Sequence, residues 1–396
     1  MKLIRNRSLY FIFTFIVIFS CKNDDPEPAN VSLLKAELIS TLTREELVTK
    51  LQLSFGSQAN QLSLFVRSGL KLYKISYKTK DPAGKEITAS GAFIIPSDIK
   101  DPLALASLQH GTLFNETDAP SYFKFETEVA SGALLASTGL FIGMPDYLGY
   151  GSSKTSEHPY EHRLGLAQPN VDFIVAMKEF IKAEKLSWNN NLLLAGYSQG
   201  GFATMATFKL LEDSYKGQFN IKAVSCGAGA YNKTKTMTTF VTSKTSGEVT
   251  NNRSYVWVLL TYDKLYKLNR PLSSYFREPF STDISKNGIN VTINKSFDEI
   301  LNPTFSNGIL KGTDEGFLNA VKDNDVFDWK PSVPLRLYHG EKDTYVPFLN
   351  SETANFSMLK KGATQVELIP IMGGSHSSSI TTYFLGTFDL FNKYKN

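Results

Sequence analysis

Gly196-Tyr197-Ser198-Gln199-Gly200 follows directly on the apolar run Leu192-Leu193-Leu194-Ala195. This is G-x-S-x-G behind a short strand, and it names a candidate nucleophile. In a nucleophile elbow the serine sits on a sharp strand-to-helix turn. Glycines flank it because the turn is strained and side chains there would clash. A helix-like run follows, from Gly201 to Leu211, with Phe202, Met205 and Leu210 on one side. Its positive N-terminal end would face Ser198, where negative charge develops in acyl transfer. At average Gly usage the bare motif arises by chance about 0.1 times in a chain of this length. The strand before it and the helix after it raise it well above that background.

The rest of the chain suits such a turn. With 396 residues and 42 % hydrophobic content it can bury one large core, or a core and a cap. Short apolar runs recur at Leu103 to Leu108, Leu140 to Met144, Asn191 to Ala195, Ile221 to Cys226 and Leu335 to Tyr338. Strands buried on both faces have this composition. Helical stretches separate several of them; Val171 to Lys185 carries Val171, Ile174, Met177 and Ile181 on one stripe. Alternation of this kind predicts an α/β fold, a mostly parallel central sheet flanked by helices.

Ahead of these, Leu70 to Lys78 alternates apolar and polar residues and reads as a half-buried strand. The turn residues Asp81-Pro82-Ala83-Gly84 join it to a second strand, Glu86 to Pro96, giving a hairpin. Ser32 to Leu53 reads as helical, with Thr43-Arg44-Glu45-Glu46 as a capping box. Tyr231 to about Lys330 breaks the rhythm. It is rich in Thr, Asn, Lys and Ser, carries aromatic residues from Tyr255 to Phe276, and is too long for an ordinary connection. It is expected to be an inserted cap or lid. The resulting plan is a signal peptide over 1–20 and a tether over 21–31. A first core part with a helical extension covers 32–230, the cap 231–330, and a second core part 331–396.

The leader rests on charge and length. Lys2, Arg5 and Arg7 precede an apolar stretch of eleven residues, Leu9 to Phe19, which is too short to span a membrane. Ile18-Phe19-Ser20-Cys21 resembles a bacterial lipobox, which makes Cys21 the expected lipidation site, although Phe19 replaces the usual small residue. The polar, Pro-containing segment after it suits a tether. Its acidic residues resemble the surface-export signals of lipoproteins in the Bacteroidetes. The expected location is therefore the outer membrane, on its periplasmic or outer side, with lipid anchoring through Cys21. The other cysteine, Cys226, lies in a strand-like run and reads as a small core residue. Net charge is +4 with no long basic run, so nucleic acid is not an expected partner.

A serine nucleophile needs a base, and the base needs a carboxylate to hold its tautomer. The hydrolase order is serine, acid, histidine. Of five histidines only His339 and His376 follow Ser198. His376 lies in the Gly/Ser-rich loop Gly373-Gly374-Ser375-His376-Ser377-Ser378, after a strand over Gln365 to Pro370 and before a helix over Ile380 to Tyr394. It is the expected base. Asp343 lies just past the strand Leu335 to Tyr338, at the sheet rim where ligands bind, and is the expected acid, with Glu341 as its local competitor. His339 and His110 read as structural. An oxyanion hole would take the N–H of Gln199 and that of Gly111 or Thr112, in the loop after the third strand. Asp146, at another strand end, reads as a loop-ordering group. No metal or cofactor is called for.

With these residues in hand the chain resembles the α/β-hydrolase superfamily over about residues 65–396. Within it, the chain is most similar to the secretory lipase family of the Candida antarctica lipase A type. The stretches that carry the likeness are Tyr73-Lys74-Ile75-Ser76-Tyr77-Lys78-Thr79, Gly143-Met144-Pro145-Asp146-Tyr147-Leu148-Gly149-Tyr150-Gly151, His158-Pro159-Tyr160, the elbow with Gly201, and His339-Gly340-Glu341-Lys342-Asp343. The resemblance implies serine-dependent ester hydrolysis by Ser198, Asp343 and His376. It also implies a cap between the sixth and seventh strands that shapes an acyl pocket. The chain lacks the cysteine pairs of the family's secreted lipases. The expected substrate is a small-molecule, lipid or glycan ester. A peptidase of the prolyl-oligopeptidase type shares the triad order but usually carries a large accessory domain, and nothing here has that size. A non-catalytic glycan- or lipid-binding lipoprotein would gain nothing from keeping all three residues.

Overall fold

The computed structural model describes residues 31–56 and 62–396. The expected signal segment and Cys21 lie outside the described residues. Among the described residues nine strands form one sheet. They are β1 (Leu33–Leu42), β2 (Leu70–Lys80), β3 (Glu86–Pro96), β4 (Leu103–Gln109), β5 (Leu140–Pro145), β6 (Trp188–Tyr197), β7 (Asn220–Gly227), β8 (Leu335–Gly340) and β9 (Val366–Ile371). Their order across the sheet is β1-β2-β3-β5-β4-β6-β7-β8-β9. The first three are antiparallel and meet β5 antiparallel. From β5 to β9 every pairing is parallel.

The expected hairpin forms in unbroken register, from Leu70 opposite Pro96 to Lys80 opposite Glu86. Its turn is held by Asp81, whose carboxylate accepts the N–H groups of Ala83 and Lys85, each at 2.9 Å. The segment before it differs from the sequence reading. Ser32 to Leu53 is not one helix: Leu33–Leu42 is edge strand β1, and only Arg44–Phe55 is helical (α1). Leu33-Leu34-Lys35-Ala36-Glu37-Leu38 is built from good helix formers, but pairing with β2 overrides that weak preference. Glu179 fixes the start of the strand, accepting the N–H groups of Val31 (2.7 Å), Ser32 (3.1 Å) and Leu33 (2.6 Å). The capping box is present in both directions, Glu46 N–H to Thr43 Oγ1 at 3.1 Å and Thr43 N–H to the Glu46 carboxylate at 2.8 Å.

Helices cover both faces of the sheet. Besides α1 these are α2 (Val129–Ser137), α3 (Arg163–Ala183) and α4 (Gln199–Ser214). Helix α3 starts well before Val171 and runs through Pro169, at its seventh position, where the missing N–H forfeits the bond to the Gly165 carbonyl. Strand β6 shows why the central strands are apolar throughout. Leu192 and Leu194 pack toward α3 and α4, while Leu193 and Ala195 pack toward α2. Full burial of each such leucine is worth about 2 kcal/mol.

Between the paired strands β7 and β8 the chain leaves the sheet and builds a helical layer. It contains α5 (Lys233–Thr242), α6 (Val249–Leu265), α7 (Phe280–Asn287), α8 (Phe297–Ile300), α9 (Pro303–Lys311) and α10 (Glu315–Asp323). This layer has its own apolar cluster, which includes Phe240, Tyr255, Tyr262, Phe276, Phe297 and Phe317. Helices α11 (Leu349–Lys360) and α12 (Ile380–Tyr394) complete the chain.

Candidate active site

The turn from β6 into α4 places Ser198 at φ +59° and ψ −124°, a backbone state that non-glycine residues rarely hold. The flanking glycines are needed for close approach. A Cβ on Gly196 would lie 2.3 Å from the Gly200 carbonyl oxygen, and one on Gly200 would lie 2.0 Å from the Gln109 carbonyl oxygen. The Ser198 N–H donates to the Gly227 carbonyl at 2.9 Å, which ties the elbow to β7.

The loops that follow β8 and β9, at the same edge of the parallel sheet as the elbow, meet this serine. His376 Nε2 lies 2.9 Å from Ser198 Oγ, and His376 Nδ1 lies 2.6 Å from Asp343 Oδ2. The other Asp343 oxygen accepts the N–H groups of Tyr345 and Val346, each at 2.9 Å. Burial acts to raise the Asp343 carboxyl, but hydrogen bonds from His339 and His376 outweigh it and hold it at about 2. The carboxylate is therefore charged and aimed at Nδ1, which leaves Nε2 free to accept a proton from Oγ.

The remaining histidines have other partners. His339 places its ring nitrogens against Ser351 Oγ and the Val346 carbonyl, each at 2.8 Å, and its Nε2 also lies 3.4 Å from Asp343 Oδ2. His110 faces the carbonyls of Gly111 and Asp146 and stacks on Tyr147, and burial lowers it to about 4. His162 accepts the Gly165 N–H at the start of α3. His158 is lowered to about 3 by burial and is therefore neutral. Its Nδ1 donates to the Leu148 carbonyl, and its Nε2 accepts from the Gln199 carboxamide at 2.5 Å. Asp146 accepts hydrogen bonds from Ser90 Oγ at 2.6 Å and the Ser121 N–H at 2.8 Å, so its carboxylate ties β3 to the turn at Ser121.

The loop after β4 differs from the sequence reading in two respects. Gly111 donates its N–H to the Glu128 carboxylate at 2.9 Å, so that group cannot serve an oxyanion while Glu128 holds it. The Thr112 N–H has no acceptor among the described residues, and the Thr112 hydroxyl bonds the Tyr160 hydroxyl at 2.8 Å. Gln199 opens α4, where backbone N–H groups lack helical partners. The loop also follows the fourth strand, because β1 precedes the three read from the sequence.

Ser198 opens on a cavity of about 650 Å³, part of it open to solvent, walled by α5 and α6. Met237, Phe240, Val258, Leu259, Phe297 and Val321 make it apolar. Within this wall lies a group that the sequence reading missed, a buried ion pair between Lys233 and Glu161. Burial pushes the Lys233 ammonium well below the ordinary lysine range, with Asp325 acting the other way. No periodicity links positions so far apart. Asn232 did carry a local signal, since its side chain caps α5 by accepting the Lys235 N–H at 2.9 Å.

A family model described as secretory lipase matches residues 121–384. No curated protein matches the sequence. A solved structure described as a hydrolase from Legionella pneumophila is 27 % identical, with a TM-score of 0.80, over 91 % of this chain and 98 % of that one. The rice cell wall degrading esterase LipA from Xanthomonas oryzae is 22 % identical, with a TM-score of 0.77, over 93 % of this chain and 99 % of that one. Candida antarctica lipase A is 15 % identical, with a TM-score of 0.61, over 91 % and 83 %. The shared fold is that of the α/β hydrolases.

Proposed function

The chain belongs to the secretory lipase family, and on that footing we propose that it is a serine-dependent carboxylic-ester hydrolase whose triad is Ser198, His376 and Asp343. A lipase- or esterase-type hydrolase is what membership supports. The observation that carries the finer reading is the unbroken hydrogen-bonded line from Asp343 through His376 to the strained Ser198.

Ser198 Oγ attacks the ester carbonyl carbon while His376 Nε2 takes its proton. Asp343 keeps the ring oriented and stabilises the imidazolium. The carbonyl oxygen becomes an oxyanion that the N–H groups of Gln199 and Thr112 hold. When the intermediate collapses, the C–O bond to the alcohol breaks and His376 protonates the leaving oxygen. Water then enters, gives its proton to His376, attacks the acyl-enzyme and releases the acid and free Ser198. Membership of a secretory family also goes with export. No described helix is long and apolar enough to cross a membrane. The reading extends this to lipidation at Cys21 and anchoring to the outer membrane, so that C21A would move the protein to the soluble fraction.

The deciding experiment is turnover of p-nitrophenyl butyrate together with labelling by a fluorophosphonate probe. Wild type labels and turns over. Ser198→Ala does neither, with turnover down by about 10⁴-fold or more. Wild-type turnover by a folded Ser198→Ala variant would overturn the assignment. Cleavage of aminoacyl-proline amides in preference to esters would point instead to a peptidase.

A further inference from the structure

The cavity beside Ser198 is mainly apolar, with neutral polar groups from Gln199, Thr236, Ser254 and several tyrosines, and it holds one pair of charged side chains. Lys233 and Glu161 are 6 % exposed each, and both line it. Glu161 belongs to the core segment ahead of α3, and Lys233 is the first residue of α5. The Lys233 ammonium also lies 3.8 Å from the centre of the Phe202 ring. Glu161 engages Lys233 through Oε2 alone, and its other carboxylate oxygen accepts no hydrogen bond among the described residues. The nearby Gln199 carboxamide oxygen, also buried, has no donor among the described residues.

A buried ion pair is a poor way to fasten two segments. Removing two charges from water costs about as much as their attraction returns, and a well-packed apolar pair often does better. The contact between insertion and core has other fastenings. The Tyr262 hydroxyl donates to the Glu161 carbonyl at 2.9 Å, and the Tyr255 hydroxyl donates to the Tyr345 carbonyl at 2.8 Å. Trp257 stacks on Tyr160 at 4.4 Å and 7°. The pair is thus one of several contacts between layer and core, and it places a donor and an acceptor side by side in a mainly apolar wall.

We propose that Glu161 and Lys233 recognise a hydroxyl group on the acyl part of the substrate, so that this site takes esters of hydroxylated acids. The inference rests on the esterase reading above. The pair is electrically balanced, so a charged substrate group would enter it unpaired at high cost. A hydroxyl is neutral and both donates and accepts. It can take a hydrogen bond from Lys233 Nζ and give one to the other carboxylate oxygen of Glu161. The apolar wall packs the remaining methylenes. A plain alkyl chain of the same length would shield the pair from water and offer it nothing.

The test is kcat/KM for p-nitrophenyl octanoate and for its monohydroxy analogues from C3 to C8. At least one analogue is expected to exceed the parent by about tenfold or more, the scale of a hydrogen bond to a charged group. In the E161L/K233M double variant the order reverses, with fluorophosphonate labelling confirming a folded site. Preference for the parent over every analogue in wild type overturns the proposal and leaves the esterase reading standing. This outcome needs no variant, so a double variant that fails to fold does not rescue the idea. An unchanged ratio in a folded double variant also overturns it. So does a preference that appears only when the hydroxyl groups are on the alcohol side, with glucosyl against methyl octanoate. Absence of turnover for every ester would instead remove the esterase reading.

Discussion

The residue before Ser198 holds the loop that carries His376: the Tyr197 hydroxyl donates to the main-chain carbonyl of His376 at 2.6 Å. The Tyr197 ring also packs 5.3 Å from the His376 ring. The elbow thus positions both members of the proposed Ser198–His376 pair, Ser198 through its backbone and His376 through Tyr197. Tyr197→Phe keeps the ring and removes the hydrogen bond. Its loss is worth about 1 kcal/mol, or about fivefold in rate, if it acts mainly on the transition state. We expect kcat to fall by about that factor with KM little changed. Steady-state kinetics would check this, and an unaltered kcat would show that the loop needs no such hold.

Glu128 acts on the other side of Ser198. By accepting the Gly111 N–H it orients the peptide that leads into Thr112. Glu128→Gln retains an acceptor oxygen and should lower kcat only a few-fold. Glu128→Ala removes it and should lower kcat by about tenfold or more, the scale of an impaired oxyanion donor. Equal kinetics for the two variants would mean that Glu128 does not position the loop.

Asp343 makes stability depend on acid in a defined direction. Burial opposes its charge, and His339 and His376 overcome that to bring the carboxyl from 3.8 to about 2. A depressed carboxyl stabilises the fold above its unfolded value, and the gain is lost as pH falls through the folded value. The shift corresponds to about 2 kcal/mol. Between pH 5 and pH 2.5 wild type should lose about 1 to 2 kcal/mol more stability in urea than Asp343→Asn. An equal loss in both would place the titration elsewhere. The same variant should retain the fold and lower kcat by about 10⁴-fold, because the His376 tautomer is no longer held.

Trp257, on α6, stacks on Tyr160 of the core and lies 6.1 Å from Phe114. Trp257→Ala should cost about 2 kcal/mol in chemical unfolding. It should also raise KM for octanoyl esters, since α6 forms a cavity wall. A normal KM in a destabilised variant would separate the stack from substrate binding.

The legible parts of this chain were those governed by local rules. Leu192 to Ala195 is apolar on both faces because helices cover both, and Gly196 and Gly200 are glycine because backbone passes within van der Waals contact of each. His376 could be found because order along the chain leaves few rivals to it. The illegible parts depend on contacts across the fold. Leu33–Leu42 is a strand only because β2 offers it an edge. Gly111 loses its N–H to a side chain 17 residues away. Lys233 and Glu161 are 72 positions apart and meet only because α5 folds back over the core.

The helical layer departs from β7 and returns to β8, which are hydrogen-bonded neighbours. Sheet pairing therefore closes beneath it without its help, and Ser198, Asp343 and His376 all lie outside the span 233–323. Length and shape in that span can drift over generations without breaking a single ladder contact. A lineage can thus try new menus on an unaltered hearth, and divergence among relatives should concentrate above the sheet.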